Sequence, residues 1–144
     1  MNPYIEFPHK IALAYTATCK TLCHELKLPQ TAFDILMFLA NNPEYKTARD
    51  IVEIRKIKAN LVSVNVDRLV TDGYLVRQAV LGDRRKTELI CTKKATPVIR
   101  RGRQLQQTFM ERTLHNIDET SRDTLRQILM VMEKNLDQML EGDL

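Results

Sequence analysis

Between Thr47 and Thr92 the apolar pattern changes period twice, and no other stretch limits the fold of this chain so tightly. Thr47 with Asp50 makes a Thr-x-x-Asp capping box that opens a short helix through "ARDIVEI". A turn at "RKIK" leads into a helix from about Lys58 to Asp72, stopped by Gly73, the residue that most readily takes a left-handed terminal conformation. The segments "YLVRQAV" and "KTELIC" then read as β-rich arms joined by "LGDRR", a hairpin with a long loop. Thr92 starts the return to helix.

The flanks are helical. Ile11, Ala14, Tyr15, Leu22 and Leu26 give residues 5–27 an uninterrupted helical rhythm. Thr31 with Asp34 repeats the capping box before "AFDILMFLA", which "NNPEY" ends. From Pro97 the pattern is helical to the end, with Thr96 as N-cap, Pro97 at the first helical position, and a second start at Thr120 with Asp123. Two helices across a short turn, followed by a hairpin, are the parts of a winged helix-turn-helix. The expectation is therefore a mainly α chain with a small β-wing. One domain spans 1–144, its DNA-binding winged helix covering about 30–95 and a helical dimerisation lobe formed by both ends, about 5–27 and 97–141.

Charge adds a second constraint. Residues 46–103 hold 15 Lys and Arg against 6 Asp and Glu, a net of +9, while the remainder holds 7 against 12, a net of −5. A basic middle between acidic ends is the footprint of a nucleic-acid reader, although a solvated basic face would look the same. No Gly-rich phosphate loop, nucleophile motif or paired-ligand spacing occurs, so neither an enzyme nor a cofactor or metal is expected. No apolar run reaches a bilayer span, "MNPYIEFPHK" lacks signal-peptide order, and three cysteines fit a reducing compartment, all of which point to a cytoplasmic protein with no membrane partner.

On the helix from Lys58, the spacing turns Ala59, Val62, Val66, Leu69 and Val70 inward and Asn60, Val64, Asp67, Arg68 and Thr71 outward, with Leu61 and Ser63 flanking. The DNA-reading candidates are Lys58, Asn60, Leu61, Ser63, Val64 and Arg68. Asn can bond adenine through two hydrogen bonds, Ser serves several bases, and Leu61 and Val64 suit thymine methyl groups. The competing reading packs Leu61 and Val64 on the preceding helix or the wing.

The run "IKANLVSVNVDRLVTDGYLVRQAVLGDRRKTELICTKKA" resembles the MarR family of bacterial transcriptional regulators. It carries a recognition helix ("VDRL…DG"), a wing, and the D-x-R-x5-hydrophobic-Thr signature at Asp83, Arg85, Cys91 and Thr92. The close match covers residues 47–95 and the helical layout fits the whole chain. Cys91 replaces the usual leucine, Ala95 a common glycine, and Val64 a frequent polar side chain. The resemblance implies that the wing tip lies against the minor groove with Arg85 tracking along it, where a narrow groove concentrates negative potential. Asp83 would hold Arg85 extended through a charge-assisted hydrogen bond, and Arg84 and Lys86 would face phosphates.

The resemblance also implies a homodimer made by the first, fifth and sixth helices, reading a pseudo-palindromic operator. An apolar stripe at Leu125, Ile128, Leu129, Met132, Leu136, Met139 and Leu140 fits that role. It further implies a repressor released by a small lipophilic or aromatic effector, or one released by cysteine oxidation. Cys19 and Cys23, four apart on one side of a helix, are the redox candidates, with plain packing the leading alternative. A winged helix used only for protein–protein contact is the rival function.

Overall fold

The computed structural model describes residues 1–142. Helix α1 (Pro3–Leu26) starts under Asn2, whose side chain accepts from the Tyr4 N–H at 3.0 Å. It runs through Pro8, so the rhythm is not free of breakers. The N–H that Pro8 lacks would have met the Tyr4 carbonyl, and Tyr4 is exposed, so water can serve that oxygen instead.

Helix α2 (Gln30–Asn41) corrects one expected cap. It begins one residue before Thr31, after Pro29, with no side-chain cap. The Pro29 carbonyl takes the Phe33 N–H at 3.0 Å, and the Asp34 carboxylate accepts from Gln30 Nε2 at 2.9 Å instead of closing a box. The second box does form. Before α3 (Ala48–Asp50), Thr47 Oγ1 accepts from the Asp50 N–H at 3.1 Å and Asp50 Oδ2 from the Thr47 N–H at 3.0 Å. A π-helical turn (Ile51–Arg55) continues α3, and Lys56 at φ 63° redirects the chain into α4 (Ala59–Thr71).

Gly73, at φ +84°, ends the α4 region and leads into the antiparallel pair β1 (Leu75–Val80) and β2 (Asp83–Cys91). A lone two-stranded ribbon is barely stable in water, so its anchors matter. Leu75 and Leu89 are buried in the core, and the Leu89 N–H donates to the Lys46 carbonyl at 2.7 Å. Thr92 Oγ1 donates to the Gly73 carbonyl at 2.6 Å, which joins the end of the wing to the end of α4.

Helix α5 (Ala95–Thr113) does not restart at Pro97. Thr96 is its second residue rather than a cap, and Pro97 is its third, where a backbone N–H would lack a helical acceptor in any case. Helix α6 (Glu119–Leu140) starts earlier than the pairing of Thr120 with Asp123 implies. Asp118, not Thr120, is its cap, accepting from the Ser121 N–H at 3.1 Å.

Met1–Phe109 forms one compact unit and the stretch from Met110 onward a second. In the first, Leu36, Ile51, Val62, Leu69 and Leu75 are among the side chains that close a core around α2 and α4, each worth about 1.5–3 kcal/mol if fully buried. A satellite cluster joins Cys19, Leu22 and Cys23 of α1 to Phe33 and Met37 of α2. Among the described residues no helix is long and apolar enough to cross a membrane.

Candidate nucleic-acid interface

The exposed side of α4 carries Asn60, Leu61, Ser63, Val64, Asp67, Arg68 and Thr71, with Lys58 exposed just before it. Leu61 is 43% and Val64 67% exposed, so neither packs into the wing or α3 as the competing reading required. Val62, Val66 and Leu69 are buried as spaced, whereas Ala59 is exposed. Asn65 is buried among them, its Nδ2 donating to the Leu61 carbonyl at 2.8 Å, and so serves the helix itself.

Arg68 stands apart from the other candidates. Its Nη2 donates to the Lys27 carbonyl at 2.9 Å and its Nε lies 3.6 Å from Asp72. The guanidinium thereby braces the C-terminal end of α4 against the C-cap of α1.

The wing departs from the expected long loop. Its turn is only Leu81 and Gly82, the latter at φ +86°, where a side chain would be strained. Pairing then jumps from Val80 opposite Asp83 to Ala79 opposite Thr87, so Arg84, Arg85 and Lys86 face no β1 residue. The three cations form an exposed bulge in β2. Asp83 also acts differently from expectation. Its Oδ1 accepts the Arg85 backbone N–H at 3.0 Å, which fixes the bulge's main chain rather than the arginine head.

A hollow of about 560 Å³ separates this bulge from α3, lined by Thr47, Arg49, Asp50, Glu53, Asp83 and Arg85, among others. Burial pulls the Asp50 carboxyl upward, but hydrogen bonds from Thr47 and the Lys46 N–H, together with nearby Lys86, hold it below its ordinary value. A narrower groove of about 270 Å³ runs between α3, α4 and the wing, and Arg49, Ser63, Arg77 and Thr87 line it. Sequence reading missed Arg49 and Arg77. Arg49 pairs with Glu53 at 2.7 Å, and Arg77 pairs with Asp67. Residue type alone marked both as basic, but the place of Arg77 depends on how β1 lies on α4, and that of Arg49 on how α3 faces the same groove.

A third cavity, about 700 Å³, lies between α2, β2 and α5. Leu39, Tyr45, Leu89 and Ile99 give it an apolar lining, and Arg100 and Arg103 add positive charge. Arg103 is held by Asn41 Oδ1 at 3.1 Å and the Ala40 carbonyl at 2.9 Å.

Cys19 and Cys23 are buried against α2. Burial raises both thiols, Cys23 to about 11, which disfavours the thiolate that oxidants attack. Among the described residues no cluster of three or more His, Cys, Asp or Glu side chains could hold a metal ion.

Comparison with known proteins agrees with this geometry. The MarR family model matches residues 26–86. A MarR family transcriptional regulator from Listeria monocytogenes, solved with a 26-mer DNA, superposes with a TM-score of 0.86 over 100% of this chain and 98% of its own, at 18% identity. The transcriptional regulator SlyA gives 0.85 over 98% and 99% at 20% identity. A MarR protein from Peptoclostridium difficile gives 0.84 over 96% and 90% at 18% identity. Residues 26–86 thus match the MarR family model, and the chain has the winged helix-turn-helix fold of these MarR transcriptional regulators.

Proposed function

We propose that the protein is a sequence-specific transcriptional regulator that binds double-stranded DNA as a homodimer in the cytoplasm. The observation that carries this reading is the pairing of an exposed helix face, Asn60, Leu61, Ser63 and Val64, with the exposed Arg84–Lys86 bulge of the adjoining wing. Helix side chains of these types contact base edges in a major groove, and arginine on a wing follows a narrow minor groove. A protein–protein module would account for the fold but gives no reason for the exposed cations. Selection of bound duplexes from a random or genomic pool, followed by footprinting, tests the reading. A pseudo-palindrome with half-sites centred about 34 Å apart is expected for a two-fold reader. Binding without base preference, or a lone half-site, would contradict it.

The regulator acts as a repressor released by a small amphipathic effector. Support comes from the cavity between α2, β2 and α5, which offers apolar walls and arginines to one ligand. Redox control through Cys19 or Cys23 fits less well, because both thiols are buried and held protonated. Release of operator DNA by an aromatic carboxylate, with peroxide inert, is the expected result. The reverse pattern would favour the cysteines.

A further inference from the structure

Arg77 of β1 and Asp67 of α4 form an ion pair between the wing and the helix before it. Asp67 lies seven residues after Asn60 and three after Val64, so it shares their outward face on α4. Its side chain is 63% exposed. A bare carboxylate on a helix that enters a groove walled by phosphates repels the duplex, so the acid needs a counter-charge. The wing supplies one. Strand alternation puts Arg77 on the same face of β1 as buried Leu75, and the register sets it opposite buried Leu89. That face looks toward α4, where an apolar residue would be the ordinary occupant. Arg77 instead crosses the groove lined by Ser63 and Val66 and bonds Asp67 Oδ1.

We propose that Arg77 is a positioning residue for DNA recognition: it neutralises Asp67 and so lets the exposed face of α4 approach the phosphates. The proposal rests on the DNA-binding reading above. An exposed ion pair contributes little to folding, so stability alone does not explain the arrangement. Its effect belongs to the bound state, where two phosphate backbones flank the acid. The wing then has two tasks, with its bulge touching DNA and its first strand correcting the charge of the recognition helix.

A double-mutant cycle tests this on a duplex that the wild-type protein has been shown to bind. Arg77→Gln should weaken binding about tenfold at low salt, in the range of a lost interface charge. The ratio to wild type should shrink as salt rises, because repulsion by Asp67 is screened. With Asp67→Asn already in place, Arg77→Gln should change affinity by less than about twofold, since no acid remains to be neutralised. Arg77→Lys keeps the charge and should stay within about threefold of wild type. Thermal unfolding of each variant confirms that the lobe is intact. Equal losses from Arg77→Gln in both backgrounds would make Arg77 an independent phosphate contact and overturn the proposal. So would no loss at all, or a loss from Arg77→Lys as large as from Arg77→Gln. A wild-type protein that binds no duplex would instead defeat the DNA-binding reading itself.

Discussion

Helices α2 and α6 use apolar residues in opposite ways. Seven of the twelve residues of α2 are buried, and none of the twenty-two of α6 is. Leu36 and Phe33 are fully enclosed, while Leu129, Leu136 and Leu140 are more than half exposed on a single chain. Helix α1 divides along its length, with Tyr4, Ile5 and Phe7 exposed near its start and Cys19 and Leu22 buried near its end. The winged-helix lobe is therefore completed by contacts within one chain, and the chain ends are not. Apolar surface of that extent on a helix calls for cover, and a second copy is the cover proposed above.

The largest effect should come from placing charge in the α6 stripe. Leu129→Glu should convert the proposed dimer to monomers in light scattering and weaken operator binding about 100-fold or more, because linked half-sites lose their avidity. An unchanged dimer would remove α6 from the interface and with it the contrast between the two regions. Within the lobe, Leu36→Ala should lower the unfolding free energy by about 2–5 kcal/mol, the range for a truncated core leucine. Chemical denaturation measures it, and a loss below about 1 kcal/mol on the same scale would mean that the lobe does not depend on this core.

At the wing the effects are smaller and separable. Arg85→Ala should reduce affinity by about 1–3 kcal/mol, with the larger losses on sites flanked by A·T-rich sequence. Lys86→Ala should weaken all sequences alike and lower the salt slope by roughly one. The smallest effect concerns Asp50. Its carboxyl titrates lower in the folded protein than in the unfolded chain, so its stabilisation is present above the unfolded value of about 3.9 and is lost as pH falls through the lower folded value. Melting temperatures of wild type and Asp50→Asn should differ near neutral pH and converge in acid. A gap that persists at the lowest pH would assign the stabilisation to another group.

Two identical Thr-x-x-Asp patterns show what was legible in the sequence. The box at Thr47 and Asp50 forms where Thr47 itself is extended, so that each side chain meets the other residue's N–H. At Thr31 the helix already begins at Gln30, and Asp34 is drawn to Gln30 and toward Arg55, 3.9 Å away on the next helical segment. A local motif was outcompeted by tertiary placement. Helical period located the outward face of α4 correctly through Leu61 and Val64, because burial of that helix follows its own repeat. Period could not show that Arg68 reaches the Lys27 carbonyl or that Arg77 meets Asp67, since each link joins separate elements. The wing was visible as two strands. Its tight turn and three-residue bulge depend on pairing register, which residue composition does not encode.

The most direct test is equilibrium binding of the wild-type chain to a selected duplex and to a scrambled duplex of equal length, measured across a salt series. The logarithm of affinity should fall linearly with the logarithm of salt concentration for both, as phosphate contacts release counterions. The selected sequence should keep its advantage at every salt concentration, because base contacts from Asn60, Ser63 and their neighbours do not depend on counterion release. Affinity that is indifferent to salt, or equal for the two duplexes throughout, would contradict a DNA-reading role for α4 and the wing.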